Sequence, residues 1–149
     1  MESSEGESDP DEARWCAECR EEVARYLSRQ GLEHGEVGEW PAWHIEPYVS
    51  IWAIESLARP GWVGWWAICG DLPTDYISAD SCRHPRLAMK QFAENWLELV
   101  PFLREGRSHP TARIPVSGPD PEHAELLATR AGLLLEWSGD DSVWEPEPD

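Results

Sequence analysis

Two carboxylates four residues apart, Asp71 and Asp75 in the stretch GDLPTDY, are the first groups in this chain suited to chemistry. They flank a Leu-Pro-Thr step read as a turn, which would bring the side chains together. Carboxylates held close raise one another's pKa, so that one can serve as a general acid and the other as a base. His44 and His84 are the candidate third members. A plainer reading stands beside this one and takes precedence over it: Asp hydrogen-bonds its own nearby backbone, and Gly-Asp-x-Pro is ordinary turn material. The catalytic candidates are therefore Asp71, Asp75 and His44. Asp75, directly before a strand, is expected to be the functional member and Asp71 the mainly structural one.

Cysteine chemistry is less supported. Cys16 and Cys19 form a C-x-x-C, but a redox motif of that kind needs a preceding strand and a βαβ setting, whereas an acidic segment precedes it here. A zinc site would need a second pair close by, and Cys69 and Cys82 fall on different expected elements. All four are read as buried thiols. His44-Ile45-Glu46 has the H-x-E of zinc deaminases without the P-C-x-x-C that must follow it. No G-x-S-x-G elbow appears, nor a recognisable Ser-His-Asp or Cys-His-Asn order. Neither G-x-G-x-x-G nor a Walker lysine is present, and the single lysine, Lys90, lies mid-helix. No cofactor and no metal are expected.

Tryptophan is the remaining excess, ten residues in 149. Its rings bury large area while the indole N–H seeks a partner, a combination enriched at interfaces. EWPAWH carries Trp40, Trp43 and His44 on an irregular arm beside the candidate turn. With Asp75 and Tyr76 these residues make the expected ligand- or partner-binding surface. The competing reading is a plug over the sheet, because large aromatics are highly buried on average.

Several elements must position these groups. Trp15, Cys19, Val23, Tyr26 and Leu27 recur at helical spacing over 11–30, acids crowd the first turn, and Gly31 marks the stop. GLEHGEVGEWPAWHIEP is the irregular arm. YVSIWAIESL at 48–57 and a run at 62–69 read as an antiparallel hairpin joined by ARPG. Trp65 and Trp66 must point to opposite faces of the second strand, so both faces are apolar. GDLPTD then connects to a short third strand at YISA. Pro85 opens a helix whose stripe of Ala88, Phe92, Trp96, Leu99, Val100 and Leu103 is expected to pack on the sheet, with Pro101 kinking or ending it. Asp120 caps a further helix with Pro121 at its first position, ending at Gly132, and LLLEW reads as a last strand. The expected fold is a single α+β domain over 11–138 with a mostly antiparallel sheet of about four strands packed by helices, in the order α-β-β-β-α-α-β.

Composition bounds the partners. The net charge is −17, yet residues 1–12 and 136–149 hold six acids each and no base, leaving −5 for residues 13–135. Residues 1–10 and 139–149 read as acidic tails, the second anchored by Trp144. Scattered bases offer no phosphate-binding face, so nucleic acid is not an expected partner. No stretch is long and apolar enough to span a membrane, and no export signal opens the chain, so a cytoplasmic location is expected.

GEWPAWHIEPYVSIWAIES, RPGWVGWWAICGDLPTDYISAD, HPRLAMKQFAENW and the closing LLLEW with DDSVW together resemble a bacterial family catalogued as domain of unknown function 4826. The resemblance runs from the first helix to the last tryptophan and implies kinship without an activity. The expected function is non-catalytic: a binding or adaptor protein, of immunity type among the options, using the Trp-rich arm and the acidic turn on an unidentified protein or small-molecule partner. The alternative is a small hydrolase or lyase built on Asp71 and Asp75. Oligomeric state is not legible in the sequence.

Overall fold

The computed structural model describes residues 10–80, 82–107 and 118–144. Of the acidic tails expected at 1–10 and 139–149, residues 1–9 and 145–149 lie outside the described residues. The fold is α+β, with three helices and a four-stranded antiparallel sheet in the order β1-β2-β3-β4, and the chain divides into two compact units.

The first unit opens with α1 (Pro10–Arg29), followed by β1 (Trp43–Ile45), β2 (Val49–Glu55), β3 (Val63–Gly70) and β4 (Leu72–Ser78). Helix α1 buries Cys16, Cys19, Val23, Tyr26 and Leu27, the stripe that its i, i+3, i+4 spacing defines. That stripe packs on one face of the sheet against Trp52, Ile54, Ala67 and Cys69, with Trp65 and Tyr76 closing the margins. Period-two alternation sends Val49, Ile51, Trp66, Ile68 and Ile77 to the opposite face, where all five are also buried. Trp65 and Trp66 thus serve different faces, as their adjacency requires.

Two expected boundaries change in this unit. The arm is not irregular throughout: its last part is β1, in register with β2 through Trp43 opposite Ile51 and His44 opposite Ser50. The rest is tied to the same strand by backbone hydrogen bonds from Gly35 to Glu55 and from Gly38 to Ala53. Arg20 of α1 adds two more, donating to the carbonyls of Val37 and Gly38 at 2.7 and 2.8 Å. GDLPTD, read as a turn, is mostly strand. β4 begins at Leu72, and Pro73 is tolerated because β4 is the sheet edge and the β3–β4 register slips between Ile68 and Gly70.

The second unit holds α2 (Pro85–Glu105) and α3 (Pro121–Ser138), packed on each other, then a short 3-10 turn at Asp141–Val143. His84 caps α2, its Nδ1 accepting the Arg86 N–H at 3.0 Å. Pro101 lies inside the helix, which runs on to a left-handed Gly106. Asp120 caps α3, with Pro121 at its first turn. LLLEW is not a strand: Leu127, Ala131 and Leu134 carry one buried helical stripe straight through it. An exposed Gly132 with no neighbour within 4 Å lowers helix propensity by roughly 1 kcal/mol without ending the helix. The observed order is therefore α-β-β-β-β-α-α. The helix seated on the sheet in the first unit is α1, and in the second unit α2 packs on α3. Trp144 donates its indole N–H to the Trp137 carbonyl at 2.8 Å, and its ring stands edge-on to His84 at 5.7 Å. Arg86 ties the same segment down through the Ser138 carbonyl at 2.6 Å and Asp141 at 2.7 Å.

Candidate functional site

At one end of the sheet, in the first unit, an open cleft of about 500 Å³ is lined by three chain segments. Helix α1 supplies Trp15, Glu18 and Cys19, whose i, i+3, i+4 spacing puts them on one face. The β1–β2 turn supplies Pro47 and Tyr48, the end of β3 supplies Cys69 and Gly70, and the β3–β4 turn supplies Asp71.

Backbone hydrogen bonding locks the two turns together. The Asp71 N–H donates to the Tyr48 carbonyl at 2.9 Å. This approach needs glycine at position 70, where φ is +149° and an added Cβ would lie 2.5 Å from the Tyr48 oxygen. A fixed hairpin end thus presents Tyr48 and Asp71 to solvent on the rim, across from Glu18.

The floor is built from thiols and one hydroxyl. Ser50 is completely buried; its Oγ accepts the Trp52 indole N–H at 2.8 Å and donates to the Cys69 carbonyl at 2.8 Å. Cys19 and Cys69 line this floor together and belong to one buried cluster, and Thr74 donates to the Cys69 sulfur at 3.7 Å. The hydrogen bond from Cys69, aided by Ser50, lowers the Cys19 pKa to about 7 against burial and the nearby Glu18 and Glu22 carboxylates. Cys69 moves the other way, because it is the thiol that keeps the shared proton and because it is buried. Burial, and then Glu12, pushes Cys16 up to about 11. The partner of Cys19 is thus Cys69 on β3, not Cys16 in its own C-x-x-C.

The sequence candidates distribute unevenly about this cleft. Asp71 is on its rim. Asp75 is only 7% exposed and points elsewhere, its Oδ1 accepting the Tyr76 N–H at 2.8 Å and facing the Tyr26 hydroxyl at 3.4 Å. Tyr76 packs its ring edge-on to Tyr26, 6.0 Å between centroids. His44 hydrogen-bonds Glu12 at 2.6 Å through Nε2 and is flanked by Trp15 and Trp40, at 6.3 and 5.4 Å. A carboxylate only accepts, so Nε2 carries the proton. Trp40 remains 45% exposed, and Trp43 is half-buried in β1. The arm therefore reaches the cleft through two ring contacts, Trp40 to His44 and His44 to Trp15. Spacing alone did not single out Glu18, Tyr48, Ser50 or the Cys19–Cys69 contact. The alternation of β3, which puts Cys69 in phase with Trp65 and Ala67, is the signal that places Cys69 under α1.

Among the described residues, no group of three or more His, Cys, Asp or Glu side chains is placed to hold a metal ion, and no helix is long and apolar enough to cross a membrane. Comparison with curated proteins and with solved structures returned no match. A family model does match, over residues 9–144, nearly the whole chain including every lining residue of the cleft. The chain belongs to the family described as domain of unknown function DUF4826.

Proposed function

We propose that this is a non-catalytic binding or adaptor protein whose cleft receives a cationic group, an arginine or lysine side chain presented by a basic partner protein. One observation carries the reading: the cleft pairs aromatic surface from Trp15 and Tyr48 with the carboxylates of Glu18 and Asp71, and no basic residue lines it. Aromatic faces attract cations through the ring quadrupole, and carboxylates supply charge-assisted hydrogen bonds, so the set discriminates for positive charge. The net charge of −17 speeds encounter with a basic partner. The exposed Trp40, two ring contacts away through His44, extends the surface beyond a single side chain. An immunity-type protein with a basic effector is one adaptor that such a surface suits, and a cytoplasmic location belongs to the same proposal.

The paired-carboxylate hydrolase is the weaker reading because Asp75 is engaged with Tyr26 and Tyr76 and is absent from the cleft lining. Titration calorimetry with a short arginine-containing peptide tests the proposal. Binding with Kd below about 1 mM is expected, equivalent to at least about 4 kcal/mol. It should be lost with citrulline in place of arginine and weakened in the pair Glu18→Gln, Asp71→Asn. Equal heats for arginine and citrulline peptides would overturn it.

A further inference from the structure

We propose that Cys19 and Cys69 are a peroxide-reactive dithiol, with Cys19 as the attacking sulfur, Cys69 as the resolving sulfur, and a small hydroperoxide as the substrate class. This inference goes beyond the binding proposal and holds whether or not the cleft takes a cationic group.

The argument is geometric. The two thiols come from different elements, α1 and β3, yet belong to one buried cluster and floor the same cleft, the juxtaposition that a disulfide across the two elements needs. Both line an open cleft, and both are otherwise buried, 5% and 6% exposed. A small hydroperoxide can enter this open cleft of about 500 Å³ and reach such sulfurs. All four cysteines are free in the structure. The direction of the pKa shifts agrees with these roles, Cys19 low and Cys69 high.

The chemistry balances without further reagents. The Cys19 thiolate attacks one peroxide oxygen and breaks the O–O bond; the departing alkoxide takes one proton and leaves as an alcohol, or as water when the oxidant is hydrogen peroxide. Cys19 is then a sulfenic acid. The Cys69 sulfur attacks the Cys19 sulfur, the S–O bond breaks, and the hydroxyl leaves as water with the Cys69 proton. Two thiols lose two electrons in total, and the peroxide gains them. Cys16, on the same helix, is not the resolving partner, because it does not line the cleft that Cys19 and Cys69 share.

The full-length protein, reduced and then treated with one equivalent of hydrogen peroxide, tests this by peptide mass mapping. The expected product is a Cys19–Cys69 cross-linked peptide with an intact-mass loss of two hydrogens, reversed by dithiothreitol. Cys69→Ser should instead accumulate a dimedone adduct on Cys19, and Cys16→Ser should cross-link like the unaltered chain. A Cys16–Cys19 bridge, or Cys19 recovered as unmodified thiol while other cysteines oxidise, would overturn the proposal. Should the serine variants misfold, the mapping of the unaltered chain decides the matter by itself.

Discussion

Replacing Ser50 with alanine tests the floor of the cleft most severely, because one oxygen there serves two buried groups. Its Oγ accepts the Trp52 indole N–H and donates to the Cys69 carbonyl, each at 2.8 Å, and Ser50 and Trp52 have no solvent exposure. Indole nitrogen is a donor only, so Ser50→Ala leaves a buried N–H without this acceptor, at a cost of about 1–3 kcal/mol. The carbonyl has a second lone pair and loses less. The total expected is about 2–4 kcal/mol, far above the roughly 0.5 kcal/mol typical of surface changes. Urea denaturation should show this as a lower midpoint at unchanged slope. The double variant Ser50→Ala, Trp52→Phe has no indole N–H to strand. It should therefore be less destabilised than the sum of the singles, by about 1–2 kcal/mol. A loss below about 0.5 kcal/mol for Ser50→Ala, or strict additivity in the double variant, would refute the bridging role of this hydroxyl.

Other consequences follow from the same geometry. Gly70→Ala must shift the Tyr48 backbone to relieve a 2.5 Å contact, and a loss of about 2 kcal/mol or more is expected by thermal melting. Asp71→Asn, at an exposed rim position, should change stability by less than about 0.5 kcal/mol. Asp75→Ala, which removes a buried acceptor from the Tyr76 N–H, should cost about 2 kcal/mol in chemical denaturation. The Cys19 pKa of about 7 lies below the thiol's ordinary value of 9.0, so between those pH values the unfolded chain holds more protons. Stability of the unaltered chain relative to Cys19→Ser should therefore rise from pH 7 to pH 9 and fall away again toward pH 7, the opposite of a thiol held protonated. Flat pH dependence of that difference would contradict the thiolate assignment.

Much of the frame was legible because single residues speak clearly at element ends and along faces. Asp120 with Pro121, Pro85 and the α1 stripe announced their helices, and adjacent Trp65 and Trp66 announced a sheet buried on both faces. Misreadings came from residues whose local preference lost to tertiary context. Pro73 and two aspartates made β4 look like a turn, but an edge strand with a register slip accommodates them. Gly132 looked like a stop, yet the stripe through Leu134 kept the helix going. The site was harder still. Cys19 and Cys69 are neighbours only because one helical phase meets one strand phase across the packed layer, a relation that C-x-x-C spacing does not encode and that draws the eye to Cys16 instead.

The binding proposal is tested most directly by following the Trp15 indole N–H and the backbone amides of Cys69, Gly70 and Asp71 by nuclear magnetic resonance during titration with an arginine-containing peptide. Saturable shifts confined to these lining residues, absent with the citrulline peptide and lost in Glu18→Gln, Asp71→Asn, are the predicted result. Shifts spread over the surface, or the same response to the uncharged peptide, would contradict a cleft that selects positive charge.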